Sequence, residues 1–183
     1  MRNIALALGT ALTLAACAAP PVNRDARVPI GEVAAIEPAR YAGRWYEIAR
    51  FPNAFERNCA GVTADYALRT DGRIGVRNTC RAGAPDGPAR VAEGLARIVD
   101  PQTNARLRVR FFGPFEGDYW VLDRAEDYAW SLVGEPSGRY LWLLAREPII
   151  SDALRADLLA RLYARGYRTE ALEWTAQARS PAR

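Results

Sequence analysis

Few side chains in this 183-residue chain are suited to acid–base, nucleophilic or metal chemistry. Histidine is absent, which removes the side chain that most often serves as a general base or metal ligand near neutral pH. Lysine is absent as well, so all 25 basic residues are arginine and no Schiff-base amine is available. We therefore predict no catalytic residue, no cofactor and no metal site, and hence a protein that is not an enzyme.

Glu47 and Glu93 are the remaining candidates for chemistry. Both fall on strand faces that we expect to line an interior, where a carboxyl either has a raised pKa or pairs with an arginine. Two such carboxyls would resemble the acid pair of a glycosidase, but no other feature of the sequence favours that reaction. If the strand phasing slipped by one residue, both would lie in solvent.

The net charge of +4 is spread along the chain and gives no concentrated basic patch. Arg106, Arg108 and Arg110 alternate with apolar residues, which is typical of the solvated face of a half-buried strand. A nucleic-acid-binding protein would concentrate its arginines on one surface, so we predict no nucleic-acid partner.

The N-terminus has the pattern of an export signal. Residues 4–16 are apolar and uncharged, too short a run for the roughly 20 residues of a membrane-spanning helix, and they fit the core of a signal peptide. The run ends in Leu14-Ala15-Ala16-Cys17, which resembles the bacterial lipobox. We predict a signal peptide over 1–16, cleavage before Cys17, and acylation of Cys17.

The segment that follows carries several prolines and few large apolar residues, which indicates a lipidated tether over 17–37. Ala18 follows the cysteine, which by resemblance to lipoprotein sorting rules favours the outer membrane. The domain would then face the periplasm or the cell surface.

The folding unit is predicted over 38–178, with a tail at 179–183. Eight short apolar segments are separated by turn signals, which favours an antiparallel barrel or sandwich. Ser151 is a good helix N-cap, and a leucine stripe then predicts one helix over about 151–165, followed by a short strand at 171–174. The eight segments are 45–51, 62–68, 74–79, 90–99, 107–112, 119–123, 129–133 and 140–145.

Cys59 and Cys80 flank the turn at 69–72. A hairpin around this turn places them almost opposite each other, and a bulge could absorb the small offset. In an oxidising compartment we expect a disulfide in preference to two free thiols.

The motifs separate barrel from sandwich. Gly43-Arg44-Trp45 resembles the Gly-x-Trp signature of lipocalins, Asp123 and Tyr128 loosely match the family's second block, and 140–146 resembles the third. The helix then follows the eighth strand, as in lipocalins, and both 45–51 and 111–115 are similar to the bacterial lipocalin group. The resemblance implies an all-β fold: an eight-stranded up-and-down antiparallel β-barrel with one C-terminal α-helix packed outside.

The resemblance also implies roles for particular residues. Gly43, Trp45 and Arg146 would plug the closed end of the barrel, with the arginine stacked on the indole. Alternation along the strands predicts a ligand-binding interior, and it also turns Val91, Glu93 and Leu95 inward. The predicted ligand contacts are Glu47, Ala49, Val62, Ala64, Tyr66, Val109, Phe111, Tyr119, Tyr140 and Trp142.

Such a lining suits a ligand with a long apolar body and one polar end. The main hypothesis is therefore that the protein binds and carries or stores fatty acids or lysophospholipids, with an arginine near the mouth meeting an anionic head. One alternative is a structural lipoprotein whose barrel is filled by its own side chains, with Trp120 and Trp130 forming an outward dimer or membrane contact. The other is a lipid-modifying enzyme that uses a free cysteine or a carboxyl.

Overall fold

The computed structural model describes residues 19–31 and 33–178. Eight antiparallel strands close into a barrel because β1 pairs with both β8 and β2. The predicted fold class is therefore confirmed. The strands are β1 (Gly43–Arg50), β2 (Cys59–Leu68), β3 (Ile74–Ala82), β4 (Ala89–Ile98), β5 (Arg106–Arg110), β6 (Gly117–Arg124), β7 (Trp130–Gly134) and β8 (Leu141–Ala145).

The two ends of the barrel are built differently. Because the strands alternate in direction, the loops 51–58, 83–88, 111–116 and 135–140 share one end, here called the open end. The other end receives the start of β1 and a single helical turn, α1 (Pro38–Tyr41), and is called the closed end.

The main helix, α2 (Asp152–Ala164), forms where the sequence predicts it. The Ser151 side chain accepts a hydrogen bond from the backbone N–H of Leu154, which satisfies one of the free amides of the first turn. Leu158 and Leu162 are fully buried against the outside of the barrel, in one cluster with Leu132 and Leu143. The helix thus covers strand faces that would otherwise be exposed apolar surface.

The segment predicted to be a tether packs against the barrel over its described part. We call residues 20–36 the N-terminal strap. The backbone N–H of Asn23 donates to the carbonyl of Gly138 at the open end, and that of Ile36 donates to Thr103 at the closed end. Ile36 is 4% exposed. The strap therefore runs the length of the barrel.

The C-terminal segment completes the barrel wall. Strand β9 (Glu173–Trp174) pairs with Ala49 and Arg50 of β1, after a 3-10 turn at Thr169–Ala171. On its other side, the carbonyl of Ala176 accepts a hydrogen bond from Gly61 of β2. β1 and β2 pair directly only between Gly43–Tyr46 and Thr63–Tyr66, so this segment fills the gap between them toward the open end.

Cys59 and Cys80 form a disulfide with 5.2 Å between their Cα atoms, as predicted. The pairing of β2 with β3 shifts register between Ala60 and Thr63, which accommodates the offset between the cysteines. The predicted signal peptide, the acylated Cys17 and the tail at 179–183 lie outside the described residues. Of the helices in the described part of the chain, none is long and apolar enough to cross a membrane.

Candidate ligand-binding cavity

The closed end is sealed by Trp45 and Arg146. Trp45 is fully buried, and the guanidinium carbon of Arg146 lies 3.8 Å from the centre of its ring. The same guanidinium donates to the carbonyls of Arg40, Ala42 and Arg44 over 2.7–2.9 Å. Gly43 has φ +91°, and a Cβ there would lie 3.4 Å from an Arg146 nitrogen. The guanidinium thus stacks on the indole ring and donates hydrogen bonds in its own plane to the backbone, and together these contacts hold the closed end in place.

Above the plug lies a network of buried hydroxyls. The Tyr41 hydroxyl lies 3.0 Å from those of Tyr119 and Ser131, and the Tyr66 hydroxyl lies 3.0 Å from that of Tyr119. Burial raises the pKa of Tyr41 to about 12 and the pKa values of Tyr66 and Tyr119 further above their ordinary value. The floor of the barrel is therefore polar but neutral.

A cavity of about 790 Å³ opens from this floor toward the open end. Its volume lies within the roughly 300–1,000 Å³ typical of small-molecule sites. Nine of the ten predicted ligand contacts line it: Glu47, Val62, Ala64, Tyr66, Val109, Phe111, Tyr119, Tyr140 and Trp142.

Ala49 is the exception. It is fully buried in the cluster beneath α2, outside the barrel wall. The cause is a register shift in the pairing of β1 with β8 between Glu47 and Ala49, which inverts the alternation beyond Glu47. Arg50 consequently takes the inward direction that the sequence pattern assigned to Ala49.

Arg50 and two glutamates form a buried ionic cluster beside the cavity. A guanidinium nitrogen of Arg50 lies 2.8 Å from a Glu47 carboxylate oxygen, and Nε lies 3.6 Å from a Glu56 oxygen. Burial, followed by the neighbouring Glu56, raises the pKa of Glu47 to about 8, although Arg50 opposes this. The indole N–H of Trp142 donates to Glu56 over 3.2 Å, which holds the cluster against the wall.

The prediction that Glu93 and Leu95 point inward is wrong, because the phase of β4 is shifted by one residue. The Glu93 side chain is 75% exposed and lies 3.5 Å from Arg77 on the outer surface. Leu95 is absent from the described cavity lining, and Val91 is a rim residue, 44% exposed. From β4 the cavity lining takes Ala92 and Ala96 together with Arg90 at the mouth. At Gly94 a Cβ would lie 2.8 Å from the Phe111 ring, so only glycine fits there.

Arg90 is a residue of the candidate site that sequence reasoning missed. It is the only arginine in the described cavity lining. Its guanidinium donates to the carbonyl of Arg57 over 2.9 Å and lies 3.2 Å from Sγ of Cys80, and no described carboxylate pairs with it. The sequence does contain an indication of this. Small residues occupy every second position of β4, and small side chains are expected on the strand face that borders a cavity.

Aromatic side chains surround the mouth. Phe55, Phe112 and Phe115 are 62%, 75% and 82% exposed, and Phe55 stacks on Tyr140 at 5.7 Å between ring centres. The outward tryptophans do not form a comparable patch. Trp130 is 8% exposed within the cluster under α2, and Arg106 lies over Trp120 at 4.6 Å.

The structure changes the position of both kinds of group that the sequence offered for catalysis. The disulfide removes Cys59 and Cys80 as nucleophiles. Glu47 and Glu93 lie on opposite sides of the barrel wall, so they cannot act as a pair. Within residues 19–31 and 33–178 no three Asp, Glu or Cys side chains are grouped as a metal site would require.

A lipocalin-like domain model matches residues 36–177. The chain belongs to the lipocalin family. It is 39% identical over 168 residues to the outer membrane lipoprotein Blc of Escherichia coli K12, covering 91% of this chain and 92% of that protein. It is 37% identical to the temperature-induced lipocalin-1 of Arabidopsis thaliana, over 78% of this chain and 80% of the relative.

Solved structures with the same fold are more distant in sequence. Insecticyanin from the tobacco hornworm Manduca sexta aligns with a TM-score of 0.64 at 17% identity, over 88% of this lipocalin and 87% of that chain. Lobster apocrustacyanin A1 aligns with a TM-score of 0.60 at 18% identity, over 82% and 91%. Like the bacterial relatives named outer membrane lipoproteins, this lipocalin is anchored at the outer membrane through lipid.

Proposed function

We propose that this lipocalin binds single-chain amphiphiles, such as fatty acids or lysophospholipids, and carries or stores them at the outer membrane. The observation that supports this best is the cavity of about 790 Å³, enclosed by strands and open at one end. A barrel filled by its own side chains would leave no such space.

The acyl chain would lie against the strands opposite the ionic cluster. The inward faces of β2 to β5 are aliphatic in this region, with Val62, Ile74, Val76, Leu107 and Val109 all lining the cavity. Each methylene buried there contributes about 0.8 kcal/mol. Six methylenes would contribute about 5 kcal/mol, and each further methylene of a longer chain adds to this.

The anionic head would lie at the mouth beside Arg90. A deeper position is disfavoured, because Arg50 is already paired with Glu47 and Glu56 and the tyrosine floor is neutral. A charge-assisted bond from an arginine to a carboxylate or phosphate contributes about 1.5–3 kcal/mol. Arg90 would thus distinguish acids from alcohols of equal chain length.

Titration with palmitic acid, lysophosphatidylethanolamine and hexadecanol tests this model. Trp142 lines the cavity, so occupancy should change tryptophan fluorescence. We expect Arg90→Gln to weaken binding of the fatty acid about tenfold, since about 1.4 kcal/mol is a factor of ten, and to leave hexadecanol unaffected.

Arg81→Gln is the matched control. Arg81 lies at the same end of the barrel, next to Cys80, and is absent from the described cavity lining. Equal losses in both variants would reject Arg90 as the head-group contact. Native mass spectrometry of protein extracted from membranes provides the broader test, since the absence of bound lipid together with unchanged fluorescence would reject ligand binding itself.

A further inference from the structure

We infer that the open mouth of the barrel rests on the membrane to which the chain is anchored, with Phe55, Phe112 and Phe115 in the lipid interface. This goes beyond the proposed function and does not depend on it. It follows from where the N-terminal strap leaves the barrel and from the chemistry of the rim at that point.

The strap is held at the open end. The backbone of Asn23 bonds to Gly138 and Arg168, and the guanidinium of Arg139 donates to the carbonyl of Pro20 over 3.4 Å. Gly138 lies in the loop between β7 and β8, two residues before Tyr140 of the cavity lining. The first residues of the strap are therefore part of the rim.

Chain length then limits where the lipid anchor lies. Pro20 is three positions beyond Cys17, the predicted acylation site, and a fully extended chain covers at most about 3.5 Å per residue. The anchor thus lies within about 10 Å of Pro20. The closed end is out of its reach, because the ten residues of β2 alone span about 30 Å.

The rim has the composition of a membrane interface. Its three exposed phenylalanines project from two different open-end loops, and exposed apolar groups of this size are unusual on a soluble surface. Arginines stand around them, and none forms an ion pair with a described carboxylate: Arg57, Arg81, Arg90, Arg110 and Arg139.

The acidic groups near the mouth are mostly neutralised. Arg97 lies 2.7 Å from Glu116, and Arg108 lies 3.0 Å from Asp118. Glu135 is 9% exposed and accepts hydrogen bonds from its own loop. The rim is therefore apolar and cationic, which complements an anionic lipid surface in both respects.

Spin labels on the mature acylated protein test the orientation in vesicles of phosphatidylethanolamine and phosphatidylglycerol. All described cysteines are in the disulfide, so Phe115→Cys provides one reactive thiol at the rim. Thr70→Cys provides the control in the closed-end turn between β2 and β3. We expect accessibility to oxygen relative to a water-soluble nickel chelate to be several-fold higher at 115 than at 70.

Two results would overturn the inference. Equal ratios at both positions would mean that the mouth is in water. Shielding of 115 from both reagents, with spin–spin broadening between molecules, would mean that a second copy covers the rim. Ligand binding measured in detergent solution is unaffected by either result, so failure of the orientation and failure of the proposed function are distinguishable.

A second set of variants identifies the groups responsible. With the label at Ala84, in the open-end loop between β3 and β4, the double variant Phe55→Ser/Phe112→Ser should lower the oxygen-to-nickel ratio several-fold. Tyr163→Ser/Ile149→Ser removes exposed apolar side chains elsewhere, at 76% and 59% exposure, and should leave the ratio unchanged. A lower ratio in both double variants, or an unchanged ratio in both, would contradict a specific role for the rim.

Discussion

The two ends of this barrel use the same kinds of side chain for opposite purposes. At the closed end an aromatic ring and an arginine are stacked, buried and hydrogen-bonded to the backbone, as in Trp45 and Arg146. At the open end three phenylalanines are exposed, and Arg90 at the mouth pairs with no described carboxylate. The type of a side chain alone therefore says little about its role. A side chain that has its stacking and hydrogen-bond partners within the protein stabilises the fold, whereas one without them is available to a ligand or a membrane.

Truncation of Trp45 should show the largest effect. Trp45→Ala removes a fully buried ring and the bond from its indole N–H to the carbonyl of Tyr41. We expect the free energy of unfolding to fall by about 4 kcal/mol, measured by urea denaturation monitored by circular dichroism. A loss below about 1 kcal/mol would mean that the closed end is not the stabilising end.

Arg146 tests whether planar geometry or charge maintains the plug. Arg146→Lys retains the positive charge but cannot donate to Arg40, Ala42 and Arg44 while stacking on Trp45. We expect a loss of about 2 kcal/mol in the same assay. The control is Arg97→Lys in an exposed ion pair with Glu116, for which we expect less than about 0.5 kcal/mol.

Glu47 lies between the two ends, and its raised pKa predicts that the free energy of unfolding depends on pH. Its folded pKa of about 8 exceeds its ordinary value of 4.5, so the folded state holds a proton that the unfolded state releases. The stability from this group is complete below about pH 4.5 and is lost as the pH rises through 8. Glu47→Gln should therefore make the free energy of unfolding less dependent on pH between pH 5 and 8.

Urea titrations at several pH values check this dependence. The measurement is favourable because the chain has no histidine, so few other side chains titrate in this interval. If wild-type stability rose with pH instead, Arg50 would have to hold Glu47 ionised.

The smallest stability effect is expected at the rim. Phe112→Ala removes a side chain that is 75% exposed, so the free energy of unfolding should change by less than about 0.5 kcal/mol. Membrane contact, by contrast, should weaken. A loss of stability close to that of Trp45→Ala would erase the distinction between the ends.

Sequence reasoning succeeded where a residue type and its local pattern determine the structure. The Gly43–Trp45 motif, the helix cap at Ser151 and the hairpin around 69–72 each specify a local geometry, and the barrel follows from their order. It failed where the phase of a strand depends on its neighbour. The bulge beyond Glu47 is visible only in the pairing of β1 with β8.

The same limitation explains the other corrections. One face of β4 carries Val91, Glu93 and Leu95, and the other carries small residues. The close approach of Phe111 to Gly94 determines that the face with the small residues turns inward. The strap is poor in large apolar residues, so its packing depends on backbone bonds to distant loops such as 135–140. No local pattern in the strap predicts such partners.

The closure of the wall by the last strand has a consequence for the timing of folding. The gap between β1 and β2 is filled by 173–177, so the barrel cannot be completed until almost the whole chain is available. Contacts between the two extremes of a sequence form late, because long loops must close first. A chain built in this way has an incomplete barrel wall until its last strand has been synthesised.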